Sequence, residues 1–119
     1  MRSFLKMLLV VGSMTVALVA MQDSAAADTQ YASWYGPGFE GAITASGDVY
    51  NYGDYTAASL QYPIGTELLV SYGGYSTVVV VNDTGPYVAG REIDLSQAAA
   101  EEIGLTYAGT DYIDVQVIG

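Results

Sequence analysis

Neither histidine nor cysteine occurs anywhere in the 119 residues. Without histidine there is no Ser-His-Asp triad, without cysteine no thiolate nucleophile, and without both no zinc site of the usual His/Cys type. The lack of cysteine also excludes the disulfides on which small secreted domains often lean, and a lipid-modified N-terminal cysteine. Positive charge is nearly as scarce, because Arg2 and Lys6 stand at the very start and Arg91 is the only basic residue after them. Carboxylates, hydroxyls, amides and tyrosines are what remain for chemistry.

Arg2 and Lys6 precede an apolar run from Met7 to Met21, and Ala25-Ala26-Ala27 supplies small residues behind it. This is the pattern of a secretory signal. The run is interrupted by Gly12, Ser13 and Thr15, and it is shorter than the roughly 20 apolar residues that span a bilayer. The expectation is a signal over residues 1–27, cleaved after Ala27, with an uncleaved anchor as the alternative. One domain then occupies 28–119, or 119 − 27 = 92 residues, enough for a single core. Only Asp23 of the thirteen acids precedes it, so its net charge is 1 − 12 = −11. Such a surface repels phosphate backbones and anionic lipid, which argues against nucleic-acid and membrane-surface binding. A solubilising exterior is the simpler explanation of the charge as a whole, and a neutral or mixed-charge substrate suits it best.

The pattern along residues 28–119 is that of a mostly β domain. Gln30–Tyr35 reads as a strand ended by Gly36-Pro37-Gly38, and 41–54 as a long loop broken by Gly47 and Gly53. Thr56–Leu60 reads as a short strand or turn. Thr66–Tyr72 and Tyr75–Val81 flank Gly73-Gly74, a strong hairpin signal. The continuous Val78-Val79-Val80-Val81 predicts burial on both faces. One short helix is expected after Asp94-Leu95-Ser96, capped by Asp94 or Ser96 and ended at Gly104. Tyr112–Ile118 alternates and reads as a last strand. No internal repeat or linker is evident, and no loop has the spacing of a calcium-binding EF-hand.

The valine run leads directly into Asn82-Asp83-Thr84-Gly85-Pro86. A carboxylate at the mouth of an apolar strand is partly desolvated, which raises its pKa and favours acid/base work near neutrality. Asp83 is therefore the leading candidate for a functional carboxylate. The same residues also make an ordinary turn.

Taken together, six segments resemble the rare-lipoprotein-A family. They are Ala32-Ser33-Trp34-Tyr35-Gly36, Thr44-Ala45-Ser46-Gly47-Asp48, Thr56-Ala57-Ala58, Pro63-Ile64-Gly65-Thr66, Val79 through Tyr87, and Gly90 through Ser96. The resemblance implies a mainly β fold, a six-stranded double-psi β-barrel related to expansins and barwin. It implies a lytic transglycosylase that cleaves the glycan of peptidoglycan, or a related cell-wall polysaccharide, from a secreted, periplasmic or wall-associated position. By the same resemblance Asp83 matches the aspartate of the family's Asn-Asp-x-Gly-Pro turn, and Asp48 stands where glutamate is usual. Ser59 replaces a histidine, and Phe39-Glu40-Gly41 stands for Phe-His-Gly, bringing Glu40 near the presumed groove.

On this reading Asp83 is the acid/base and Asp48 the carboxylate that steadies positive charge on the sugar. Tyr35, Glu40, Thr44, Ser59, Asn82, Tyr87 and Asp94 are candidate substrate-binding residues. Tyrosine faces stack on sugar rings, although most of the eleven tyrosines are expected at half-buried strand positions. Trp34 is expected in the core. In expansin-like relatives an aspartate before Leu-Ser lines the polysaccharide groove, which points to Asp94. Arg91 is expected to pair with Asp94 or Glu92, with a substrate carboxylate as its other possible partner. No metal or cofactor is expected, and no membrane insertion once the signal is removed; a monomer is. A non-catalytic, expansin-like module that binds and loosens wall polysaccharide is the alternative function.

Overall fold

The computed structural model describes residues 27–119. The expected secretory signal lies outside them, apart from Ala27. The described chain runs β1 (Asp28–Trp34), β2 (Thr56–Ser59), β3 (Glu67–Tyr72), β4 (Tyr75–Asp83), β5 (Ile93–Leu95), α1 (Gln97–Ile103), α2 (Leu105–Ala108) and β6 (Asp111–Val117). The strands close a six-membered barrel in the order β1-β5-β2-β4-β3-β6, the architecture that the resemblance implies. Two of its pairings are parallel, β1 with β5 and β2 with β4, and the others are antiparallel.

Local chemistry accounts for most of the elements. Gly73 and Gly74 both hold positive φ, 58° and 88°, as a two-residue hairpin turn between right-twisted strands requires. The resulting β3–β4 pair keeps a regular register from Glu67 opposite Val80 to Tyr72 opposite Tyr75. Helix α1 starts where Ser96 Oγ accepts the backbone N–H of Ala99, and it ends at Gly104 in the left-handed conformation.

Three expectations are corrected. The valine run is not buried on both faces: Val79 and Val81 are fully buried, while Val78 and Val80 remain about two-fifths exposed at 42% and 38%. A closed barrel has one interior, and Val78 and Val80 point away from it and stay partly exposed, so the strand keeps its two-residue period. Asp94 does not cap the helix, because it lies in β5, a strand hidden within the expected helix start; Ser96 alone is the cap. A second short helix, α2, follows Gly104.

The interior is filled by Leu68, Val70, Val79, Val81, Ile93, Leu95, Ile113 and Val115, and the helices add Ala99, Ala100, Ile103 and Leu105. Ser96 Oγ also accepts the Thr56 N–H at 3.2 Å, joining the helix start to β2.

The alternation along β4 predicts a contrast measurable by chemical denaturation. Val79→Ala should cost about 2 kcal/mol, from two buried methyl groups and the space they leave. Val80→Ala should cost under about 1 kcal/mol, because its side chain already meets water.

Candidate active site

Strand register brings the acids together. In the parallel pairing of β1 with β5, Ser33 lies opposite Asp94. In β2, Ala58 lies opposite Asp94 on one side and Asp83 on the other. Ser33, Asp94, Ala58 and Asp83 therefore form one row across four neighbouring strands. At strand spacings near 4.8 Å, the Cα atoms of the two aspartates stand roughly 10 Å apart. A slip in the β2–β4 register helps to place them: Ala57 pairs with Val81 but Ala58 with Asp83, so Asn82 is left over as a bulge. Val81 and Asn82 are both buried and Asp83 is half-buried, a break in alternation of the kind a bulge produces next to a functional site.

Asp83, Asp94 and Ala58 line a cleft of about 410 Å³ together with Trp34, Tyr35, Phe39, Thr84, Pro86, Tyr87, Val88 and Arg91. Asp83 is held by three donors: the Tyr35 hydroxyl at 2.7 Å on Oδ2, and the backbone N–H groups of Ala45 and Thr84, both at 2.9 Å, on Oδ1. These three bonds fix the orientation of the carboxyl group in the cleft. Tyr35 is almost fully buried at 9% exposure. Its ring stacks on Tyr50 with centroids 4.5 Å apart and meets Phe39 edge-on at 5.5 Å. The Tyr50 hydroxyl in turn accepts the N–H of Gln97, at the start of α1. Burial, followed by the hydrogen bond to Asp83, pushes the Tyr35 phenol far above its ordinary pKa, so it stays a donor.

The carboxyl that burial pushes up is Asp94, with the Asp83 charge adding to the rise. The hydrogen bond that Ser33 Oγ donates to it and the Arg91 charge act in the opposite direction. Asp94 is therefore the acid in the cleft that the structure biases toward its protonated form.

Of the residues singled out in the sequence, Asp83, Tyr35, Tyr87 and Asp94 meet in this cleft. Asp48 does not line it; its side chain is exposed on the 44–48 loop. That loop reaches the turn through its main chain instead, by the Ala45 N–H on Asp83 and the Ser46 N–H on the Asn82 carbonyl. Thr44 is buried and shapes the loop, donating from Oγ1 to the Asp48 carbonyl at 3.1 Å. Glu40 accepts the Tyr52 N–H at 2.8 Å, which ties two loops together. Ser59 is buried, and its Oγ accepts the N–H groups of Gln61 and Tyr62, both at 3.0 Å. It borders a second hollow, of about 500 Å³, lined by Leu60, Gln61, Tyr62, Pro63 and Ile64. Thr84 and Tyr87 line both spaces, so the two adjoin across this ridge. Trp34 packs against the core while also facing the cleft.

Sequence reasoning missed Tyr50, Ser33 and the Ala45 N–H. Tyr50 and Ser33 carried only the weak signals of one tyrosine among eleven and a serine within a matched segment. A main-chain donor carries no side-chain signal at all. Arg91 makes no ion pair with Asp94 or Glu92; Glu92 is engaged by the Tyr31 N–H at 2.8 Å.

Two measurements check this electrostatic arrangement. A double-mutant cycle of Tyr35→Phe and Asp83→Asn, followed by denaturation, should return a coupling of about 1–2 kcal/mol, as for a hydrogen bond to a charged group. For Asp94 the folded state binds the proton more tightly than the unfolded chain does, so its contribution to stability declines as pH rises above the ordinary value of 3.8. Asp94→Asn should accordingly melt higher than wild type at neutral pH, with the advantage vanishing below that value.

A family profile described as lytic transglycolase matches residues 27–117. The endolytic peptidoglycan transglycosylase RlpA of Vibrio cholerae is 47% identical over 89 residues, covering 73% of this chain and 34% of the relative. The probable endolytic peptidoglycan transglycosylase RlpA of Synechocystis is 44% identical over 89 residues, covering 73% and 28%. The chain thus spans about a third of the length of these curated relatives. Among solved structures, the Streptomyces papain inhibitor superposes with a TM-score of 0.64 at 23% identity, over 78% of this chain and 94% of that one, a likeness of fold. By its sequence over residues 27–117 and its closed six-stranded barrel, the chain belongs to the rare-lipoprotein-A family of double-psi β-barrels.

Proposed function

We propose that this protein acts on peptidoglycan outside the cytoplasm as a lytic transglycosylase. The observation that carries the reading is the placement of Asp83 and Asp94 on either side of Ala58 in one cleft, with burial raising the proton affinity of Asp94. The names of the relatives support the choice of polymer, and the basic, apolar and small-residue order of residues 2–27 supports export.

In this mechanism Asp94 donates its proton to the glycosidic oxygen as the bond to C1 breaks. The Asp83 carboxylate steadies the positive charge that develops on the sugar. Asp83 then accepts the proton of the same sugar's 6-hydroxyl as that oxygen closes on C1, giving a 1,6-anhydro end. One proton leaves Asp94 and one reaches Asp83, so no water is consumed. Asp83 keeps the base role and takes on the charge-steadying expected of Asp48, while Asp94 takes over the proton donation expected of Asp83. Tyr35 positions Asp83 rather than stacking on sugar, and Tyr87, whose ring is largely exposed at 78%, supplies the stacking face.

The expansin-like reading, binding without cleavage, draws on a specific observation. Ser59, at the family's histidine position, is spent on a turn, and Asp48 faces solvent. Incubation with purified glycan strands separates the two. Transglycosylase action releases anhydro-muropeptides, and Asp83→Asn should lower that release by at least about 100-fold while binding persists. A wild-type protein that binds glycan and releases no anhydro product is the non-catalytic module.

A further inference from the structure

We propose that Arg91 is the residue by which the cleft recognises a carboxylate carried by its glycan, and so the residue that sets preference among otherwise similar sugars. This deepens the function proposed above and rests on the cleft being a glycan site.

Four observations converge on Arg91. Among the described residues it is the sole basic side chain, against twelve acids. It lines the cleft beside Asp94 and Val88. It is exposed, and no protein hydrogen bond occupies its guanidinium among the described residues; only its backbone N–H is engaged, on the Val88 carbonyl at 3.1 Å. Finally, the acids nearest to it in sequence have other partners, Glu92 the Tyr31 N–H and Asp94 the Ser33 hydroxyl.

A guanidinium placed merely to balance Asp94 would do so best in direct contact, with two parallel hydrogen bonds. Here its charge reaches Asp94 and lowers that carboxyl's pKa, yet its five donors stay free for a planar anion. A guanidinium can donate to neutral sugar oxygens too, but its planar fork and fixed charge match a carboxylate best. At long range the net negative chain repels anions, but at physiological ionic strength that repulsion is screened beyond about 8 Å. Contact with Arg91 then decides among bound sugars. The anion that fits is a carboxylate attached to a sugar ring in the cleft. It comes either from the ether-linked lactyl group of a muramic acid or from a peptide amide-linked to that group.

Isothermal titration of the full chain with three saccharides of equal length tests this. The first contains N-acetylglucosamine only. The second alternates it with N-acetylmuramic acid whose lactyl carboxylate is free, and the third carries a short stem peptide on that lactyl group. Wild type should bind one or both carboxylate-bearing saccharides about tenfold more tightly than the neutral one, with the difference shrinking as salt is added. Which of the two gains identifies the source of the carboxylate. Arg91→Gln should remove the difference between the carboxylate-bearing saccharides and the neutral one, and Arg91→Lys should restore part of it. Equal affinities in wild type, or an equal loss on all three saccharides in Arg91→Gln, overturn the role of Arg91 while leaving the glycan cleft intact. Absence of binding to all three overturns both readings.

Discussion

The parallel pairing of β2 with β4, and the single residue left unpaired within it, set the positions of the groups that matter in the cleft. Parallel strands cannot be joined by a tight turn, so the chain makes crossovers that carry β2 and β5 between strands distant in sequence. Ala58 thereby separates two aspartates eleven residues apart in the chain. The bulge at Asn82 brings Asp83 into that row just where the strand gives way to the Thr84–Tyr87 turn, so the carboxylate stands at the barrel mouth. Asp94 needs no such device, since its register with Ser33 on β1 and Ala58 on β2 already brings it to the same cleft.

Rigidity at this site comes from packing rather than covalent links. With no disulfide available, the Asp83 carboxylate is held by a buried phenol, and that phenol by a stacked ring whose hydroxyl takes a free N–H at the start of α1. The orphan amides of a helix start need acceptors; here one of them steadies a tyrosine and another is met by Ser96. Helix, aromatic stack and acid therefore form one connected chain of contacts.

Charge is distributed to match. Most of the acids lie outside the cleft on loops, strand edges and helix surfaces, several of them bonded to tyrosine hydroxyls or backbone amides, as in the Tyr62–Asp28 and Tyr72–Asp111 pairs. Inside the cleft two acids face one arginine, and the adjoining hollow across Tyr87 is lined by no charged side chain. A chain so negative thus has a cleft that is nearly balanced in charge, in which burial raises the proton affinity of Asp94.

Much of this was legible in the order of residues, because the physics involved is local. A Gly-Gly pair between apolar runs makes a hairpin, Ser96 followed by an alanine-rich run makes a capped helix, and an Asn-Asp-Thr-Gly-Pro stretch makes a polar turn at a strand end. Matched segments in sequence order then pointed to the barrel and to Asp83, Tyr35, Tyr87 and Asp94. Strand β5 was hidden, since a three-residue strand has no periodicity of its own and exists only through its neighbours on both sides. The valine run misled because its burial depends on whether a second layer covers the sheet. Glu40, Thr44 and Ser59 are near the site in sequence terms, yet hydrogen bonds commit their side chains to shaping loops, and the Asp48 side chain is exposed. The sequence by itself determined which chemistry is available, carboxylates and phenols with one guanidinium, and which segments are strands, turns and helix. Only the tertiary structure decided which acids meet and which of them burial holds toward its protonated form, because register, bulge and desolvation arise between strands far apart in the chain.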